Sequence, residues 1–125
     1  MVNSATTLGV FKKFDEGLKS GTDSWQEVIS DDVQFIGPAA QVKGKKDFIE
    51  LNMSFAPMIK GSTLKEIVSN EDWVITQVEF NVSTPSGKVI TLDMSEWYRI
   101  ADGKIQSVKV FYDAEEFRKE MSANH

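Results

Sequence analysis

Residues 89–100 read VITLDMSEWYRI, and this stretch decides the architecture. Polar and apolar side chains alternate along it, which predicts a long β-strand. One face carries Ile90, Leu92, Met94, Glu96, Tyr98 and Ile100; the other carries Val89, Thr91, Asp93, Ser95, Trp97 and Arg99. The first face is apolar except for Glu96 and the Tyr98 hydroxyl. A carboxyl group among apolar side chains is costly to ionise, so it requires a partner or a task. Glu96 is therefore the candidate general acid or base, or hydrogen-bond donor, of a ligand pocket. The alternative is a carboxylate satisfied by a neighbouring strand or by water.

The neighbours of this strand follow from its turns. Pro85-Ser86-Gly87 reads as a three-residue loop that pairs Val82 with Ile90, Phe80 with Leu92, Val78 with Met94 and Thr76 with Glu96. Every partner but Thr76 is apolar, and Thr76 is placed to give Glu96 a hydrogen bond. On the other side, Ala101-Asp102-Gly103 allows two registers. A three-residue turn with Gly103 in the left-handed conformation pairs Glu96 with Val108 and Tyr98 with Gln106. A two-residue Asp-Gly turn pairs Glu96 with Lys109, making it half of an ion pair. The first is preferred because it puts Val108, Val110 and Tyr112 on the inner face.

Working outward, Leu8, Phe11, Phe14 (or Asp15) and Leu18 recur at helical spacing over residues 6–19, and Gly21 ends that helix. Ser24-Trp25-Gln26-Glu27 has the S-x-x-E form of a capping box and opens a short second helix to about Ile29. Trp25, Val28 and Ile29 face inward. Asp31-Asp32 end that helix and open the strand Val33–Ile36, which Gly37-Pro38 stops. Gln41-Val42 form a small return strand. A third helix runs from Lys45 to about Met58, with Phe48, Leu51, Asn52 and Phe55 toward one side and Pro57 bending its end. Period-two segments then span residues 62–69, 73–84, 89–100 and 104–112, and Asp113, answered by Glu116, caps a last helix near Met121. Helices gathered on one face of a curved antiparallel meander make a single α+β domain, residues 1–125.

Composition excludes several functions. A net charge of −5, with no run of basic residues, argues against a nucleic-acid surface. Lys43, Lys45 and Lys46 read as a solvated helix start. There is no cysteine, and the one histidine is His125, at the frayed end. Thiol chemistry, histidine triads and the common zinc sites are thereby removed. No metal and no cofactor is expected: Gly87 and Gly103 are turn glycines, and no G-x-G-x-x-G or P-loop occurs. No stretch reads as membrane-spanning or as a signal peptide, so the expected location is cytoplasmic.

The order of elements resembles the nuclear transport factor 2-like superfamily, which includes SnoaL-like polyketide cyclases and ketosteroid isomerase. The resemblance covers nearly the whole chain and rests on the Trp25 helix, SDDVQFIGP (Ser30–Pro38), KGKKDFIE (Lys43–Glu50) and SEWYRIADGKIQSVKVFYD (Ser95–Asp113). It implies a cone: a cystatin-like curved antiparallel sheet wrapped around a long helix, with an apolar cavity at its open end. The carry-over from ketosteroid isomerase is partial. That enzyme's catalytic Asp matches Gly37, and its oxyanion-hole Tyr matches Phe14. Its protonated Asp matches Glu96, a carboxyl again, and an aromatic lining its pocket matches Tyr112. Limonene-type epoxide hydrolases use a cavity Arg, but here Arg99 points outward and Arg118 lies on the last helix. Scytalone-type dehydratases use pocket histidines, which this chain lacks.

These readings converge on a small-molecule-binding protein whose cavity takes a compact apolar ligand, cyclic compounds among them. Glu96 would act as acid or base in an isomerase, cyclase or lyase reaction. The expected lining is Phe14, Trp25, Phe35, Asn52, Phe55 and Thr76 from one part of the chain, with Val78, Met94, Tyr98, Val110 and Tyr112 from the rest. Two alternatives stand beside it: a non-catalytic ligand-binding protein, and an interaction module with a filled cavity. On the outer face Trp73, Ile75, Trp97, Ile105 and Phe111 form an apolar patch, which predicts a homodimer through the convex sheet.

Overall fold

The computed structural model describes residues 4–122; His125 lies outside them. Helix α1 (Ser4–Ser20) is followed by a 3-10 turn (Ser24–Val28), strands β1 (Ile29–Ile36) and β2 (Gln41–Lys43), and helix α2 (Lys45–Phe55). A second 3-10 turn (Ala56–Met58) leads into β3 (Ile59–Ser69), β4 (Trp73–Ser83), β5 (Val89–Ala101) and β6 (Lys104–Phe111), and helix α3 (Glu115–Ser122) ends the description. The six strands form one sheet in the order β2-β1-β6-β5-β4-β3. The meander β3–β6 is antiparallel as expected, and β1 joins it by running parallel to β6.

Local chemistry explains the ends of α1 and α2. Gly21 takes the left-handed conformation (φ 74°), and the Thr22 N–H returns to the Gly17 carbonyl at 3.3 Å, closing α1 in a Schellman-type cap. Gly17 has a second task. A Cβ built there would lie 2.7 Å from the Trp25 Cβ, so the glycine lets α1 and the first 3-10 turn touch. That turn does not use the expected capping box. Its cap residue is Asp23, with no side-chain bond, and the Ser24 hydroxyl instead pairs with the Thr22 hydroxyl at 3.0 Å. It is also shorter than expected because Ile29 already belongs to β1; Asp31 and Asp32 therefore lie exposed inside that strand. In α2, Pro57 ends the α-helical pattern at Phe55 and leaves one 3-10 turn.

The β4–β5 register is the expected one: Val82 pairs with Ile90, Phe80 with Leu92, Val78 with Met94 and Thr76 with Glu96. The β5–β6 register is neither of the two expected. Asp102 (φ 56°) and Gly103 (φ 72°) make a two-residue turn that pairs Ala101 with Lys104 and Ile100 with Ile105. A bulge then skips Gln106, so Arg99 meets Ser107, Tyr98 meets Val108 and Glu96 meets Val110. The bulge returns Val108 and Val110 to the inner face and removes Lys109 from Glu96. It also corrects the outer patch. Ile105 precedes the slip, is fully buried, and belongs to the core rather than to the convex face. Three further irregularities, two along β3–β4 and one in β1–β6, bend the strands and give the sheet its curvature.

Two apolar clusters line the concave side. The first gathers Phe11 and Phe14 of α1, Trp25, Ile29, Val33 and Phe48 against Val74, Tyr98, Ile100 and Ile105. The second holds Val78, Val82, Ile90, Leu92, Met94 and Phe117, with Phe55, Phe80 and Tyr112 packed on it. Along β4 and β5 the pair Thr76–Glu96 lies at the seam between them.

Candidate functional site

The seam is built by three strand residues and one helix. Alternation along β5 turns Glu96 and Tyr98 to the concave face, and the β4–β5 register brings Thr76 opposite Glu96. Thr76 Oγ1 donates a hydrogen bond to Glu96 Oε1 at 2.9 Å, and the Tyr98 hydroxyl is hydrogen-bonded to the same carboxyl. Tyr98 is held from the other side by α1: Phe11 and Phe14 meet its ring edge-on at 5.0 and 5.7 Å between centroids. This aromatic packing fixes where α1 crosses the sheet. One turn further along, Asp15 and Lys19 come within electrostatic range of Glu96 and pair with each other at 3.0 Å.

The electrostatics shift the Glu96 titration upward. Burial raises the Glu96 carboxyl above its ordinary range. The hydrogen bonds from Thr76 and Tyr98 oppose the rise, the Asp15 carboxylate adds to it, and Lys19 works against it. Burial likewise pushes the Tyr98 phenol well up, and the neighbouring Glu96 charge pushes it further. At neutral pH Tyr98 is therefore a hydrogen-bond donor and not a base. Thr76, only 1% exposed, has Glu96 as the acceptor for its hydroxyl. Thr76→Val removes the bond that favours the charged form, so Glu96 titrates higher still, at a stability cost of about 1 kcal/mol. Carbon-13 titration of the labelled carboxyl checks the direction; an unchanged or lower value would contradict it.

The other expected lining residues divide. Phe14 (4% exposed) and Trp25 (2%) are core, stacked edge-on at 5.8 Å. Phe35 is half-buried against Phe48, and the Asn52 amide donates to the Phe48 carbonyl of its own helix at 2.9 Å. Val110 packs under Gly37, where an added Cβ would lie 2.7 Å from Val110 Cγ2. Any side chain at position 37 would have to displace Val110. Val78 and Met94 line the second cluster beside Glu96, and Phe55 and Tyr112 border it. Burial raises the half-buried Tyr112 phenol too, against the pull of Arg118. Arg99 is exposed, as expected, and Arg118 hydrogen-bonds the Pro38 carbonyl. Asp113 accepts the Glu115 N–H at 3.0 Å, but Glu116 turns away to pair with Lys88.

Asp15 and Lys19 are the site residues that sequence reasoning missed as partners of Glu96. The signal was their place one turn beyond Phe11 and Phe14. Among the described residues no cluster of His, Cys, Asp or Glu could hold a metal ion, and no helix is long and apolar enough to cross a membrane. Surface concavities of about 360 and 290 Å³ lie elsewhere, and neither is lined by Glu96.

Comparison with known proteins places this geometry in a context. The family model for the SnoaL-like domain matches residues 12–108. By structure the chain is similar to a candidate SnoaL-like polyketide cyclase from Jannaschia sp. CCS1 (TM-score 0.79, 16% identity, covering 96% of this chain and 94% of that one). It is similar to a nuclear transport factor 2-like protein from Burkholderia xenovorans LB400 (TM-score 0.82, 14% identity, 98% and 100% covered). It is also similar to a candidate ketosteroid isomerase from Kribbella flavida DSM 17836 (TM-score 0.75, 15% identity, 90% and 82% covered). At these identities the likeness is one of fold. No curated protein matches the chain by sequence.

Proposed function

The chain belongs to the SnoaL-like domain family, and on that premise we propose that it binds a compact, apolar, cyclic small molecule on its concave face and moves a proton with Glu96. The observation that carries this reading is the Glu96 carboxyl itself. It is half-buried between two apolar clusters, is held by two hydroxyl groups, and has its protonated form favoured by burial. Lys19 pairs with Asp15, leaving the Glu96 carboxyl without a salt-bridge partner among the described residues. A carboxylic acid poised in this way donates a proton or hydrogen bond to a ligand oxygen and, once ionised, withdraws a proton from carbon. Isomerase, cyclase and lyase steps all need that exchange. Thr76 and Tyr98 orient the carboxyl, and Tyr98 remains the neutral donor.

The test is a screen of apolar cyclic compounds that each bear one carbonyl or hydroxyl, read by chemical shifts across the protein. The proposal expects binders whose shift changes centre on Thr76, Glu96 and Tyr98. Changes confined to the convex face would overturn it. A ligand-binding role without turnover is the second reading. It is favoured by Gly37 and Phe14, which stand where ketosteroid isomerase carries its base and its tyrosine.

The same proposal includes a homodimer. Trp97 is 39% exposed and Phe111 57% exposed on the convex face, and Trp97 meets Trp73 edge-on at 6.1 Å. Exposed aromatics gathered on one sheet face are covered in a stable assembly. Wild-type protein should sediment at twice its 14.0 kDa mass, and Trp97→Glu at the monomer mass. A wild-type monomer at tens of micromolar would contradict the dimer.

A further inference from the structure

Helix α3 closes the end of the concave face with a short amphipathic segment. Its one buried side chain is Phe117. The ring meets Phe55 at 6.4 Å and Tyr112 at 6.5 Å, both edge-on, and belongs to the cluster of Val78, Leu92 and Met94. Half-buried Met121 packs on the same cluster, and the other attachments are polar. Lys88 of the β4–β5 turn reaches Glu116 at 3.2 Å and Glu120 at 3.8 Å, and the Ser86 hydroxyl donates to Glu120 at 2.9 Å. Arg118 bonds the Pro38 carbonyl on the opposite side. The helix thus straps two loops together across the end of the concave face. Lys88 and Glu116 are about half-exposed, so their attraction is weak and screened by salt. A concavity of about 360 Å³, lined by Lys88, Leu92, Asp113 and Glu116 among others, separates part of α3 from β5.

We propose that the Phe117 ring occupies a ligand subsite: the aromatic-walled end of the concave face, made by Phe55, Tyr112, Leu92 and Met94, takes a planar ring of the ligand once α3 lifts. This rests on the proposed role of the concave face and names the ligand class. Same-face residues on a strand lie about 7 Å apart. Met94 is one step from Glu96 and Leu92 two. The ligand therefore carries an aromatic ring roughly 7–14 Å from the oxygen that meets Glu96, the length of a biaryl molecule or longer. Binding competes with Phe117, so the apparent affinity is reduced by the fraction of molecules in which α3 is lifted. A short terminal helix held by Phe117, Met121 and a half-exposed Lys88–Glu116 pair is the kind of element that opens locally.

The test uses 4-phenylphenol with the full-length chain, reading its fluorescence and the carbon-13 signal of the Glu96 carboxyl. Phe117→Ala should tighten binding on the order of tenfold. Lys88→Gln, which keeps the ring but loosens the strap, should tighten it by a smaller factor, and added salt should do the same to wild type. Unchanged affinity in both variants would overturn the subsite, even if wild-type binding moves the Glu96 signal and so supports the catalytic reading. Tighter binding in both, with shifts at Phe55 and Tyr112 but an unmoved Glu96 signal, would support the subsite and overturn the role of Glu96. Tightening in Phe117→Ala alone, with its amide exchange showing α3 unfolded and no shift at Phe55 or Tyr112, would overturn the subsite.

Discussion

Glu96→Gln should lower turnover by roughly 10²–10⁴-fold, the contribution of a positioned acid or base, while leaving ligand affinity within about threefold. Glutamine keeps the shape and the acceptor oxygen that Thr76 Oγ1 now meets at 2.9 Å, so Thr76, Tyr98 and the apolar walls stay in place. What is lost is the transferable proton. The same substitution should stabilise the fold at neutral pH. Glu96 holds its proton more tightly folded than unfolded, because burial disfavours the charge. The stability linked to that proton is complete below the ordinary glutamate value, about 4.3, and is lost as pH rises through the raised folded value. Glutamine carries no such proton. The difference between variant and wild type therefore grows in favour of the variant across that window and is flat above it. Urea unfolding at several pH values, beside turnover assays on a compound found by the screen, measures both effects. Unimpaired turnover would leave Glu96 an orienting group and put the acid or base elsewhere. A variant less stable than wild type at neutral pH would contradict the burial argument.

Trp25→Ala should cost about 3–5 kcal/mol of unfolding free energy, as large-to-small changes of a buried aromatic do. Trp25 is 2% exposed and packs edge-on against Phe14, and the buried Gly17 gives it room against α1. The cavity left behind cannot close easily, because sheet residues Ile29, Val33 and Ile105, all fully buried, hold its floor. For a domain whose total stability is about 5–15 kcal/mol, that is a large share. The midpoint in urea should fall with little change in slope. Met53→Ala, at a residue 57% exposed, should change stability by less than about 0.5 kcal/mol. The loss reaches the site as well. Trp25 pins α1 through Phe14, and α1 carries Asp15 and Lys19 to Glu96, so ligand binding should weaken before the chain unfolds.

How much of this was legible in the sequence depends on whether a local signal carried it. The pairing of Thr76 with Glu96 was readable because Pro85-Ser86-Gly87 fixes the loop length and every other pair on that face is apolar. The β5–β6 register differs from both expected pairings, yet its signal is present in the chain. The buried apolar residues of β6 stand at 105, 108 and 110, a spacing of three and then two. That break in alternation is the bulge at Gln106, and it explains at once why Ile105 is core and why Lys109 misses Glu96. The S-x-x-E pattern at Ser24 misled because a nearby strand start left room for only one 3-10 turn. The strap formed by α3 depends on contacts between Lys88 and Glu116 and between Arg118 and Pro38, far apart in the chain, which no periodicity encodes. The carboxyl at the centre was visible from alternation alone. Its helix neighbours were not, because they depend on where α1 crosses the sheet.

The most direct test of the central claim is the carbon-13 titration of the Glu96 side-chain carboxyl, with and without a ligand found by the screen. The account predicts a titration above the ordinary glutamate value, about 4.3, that shifts when the ligand is added. A titration at or below that value, unmoved by any ligand, would contradict it and leave Glu96 a solvated strand residue.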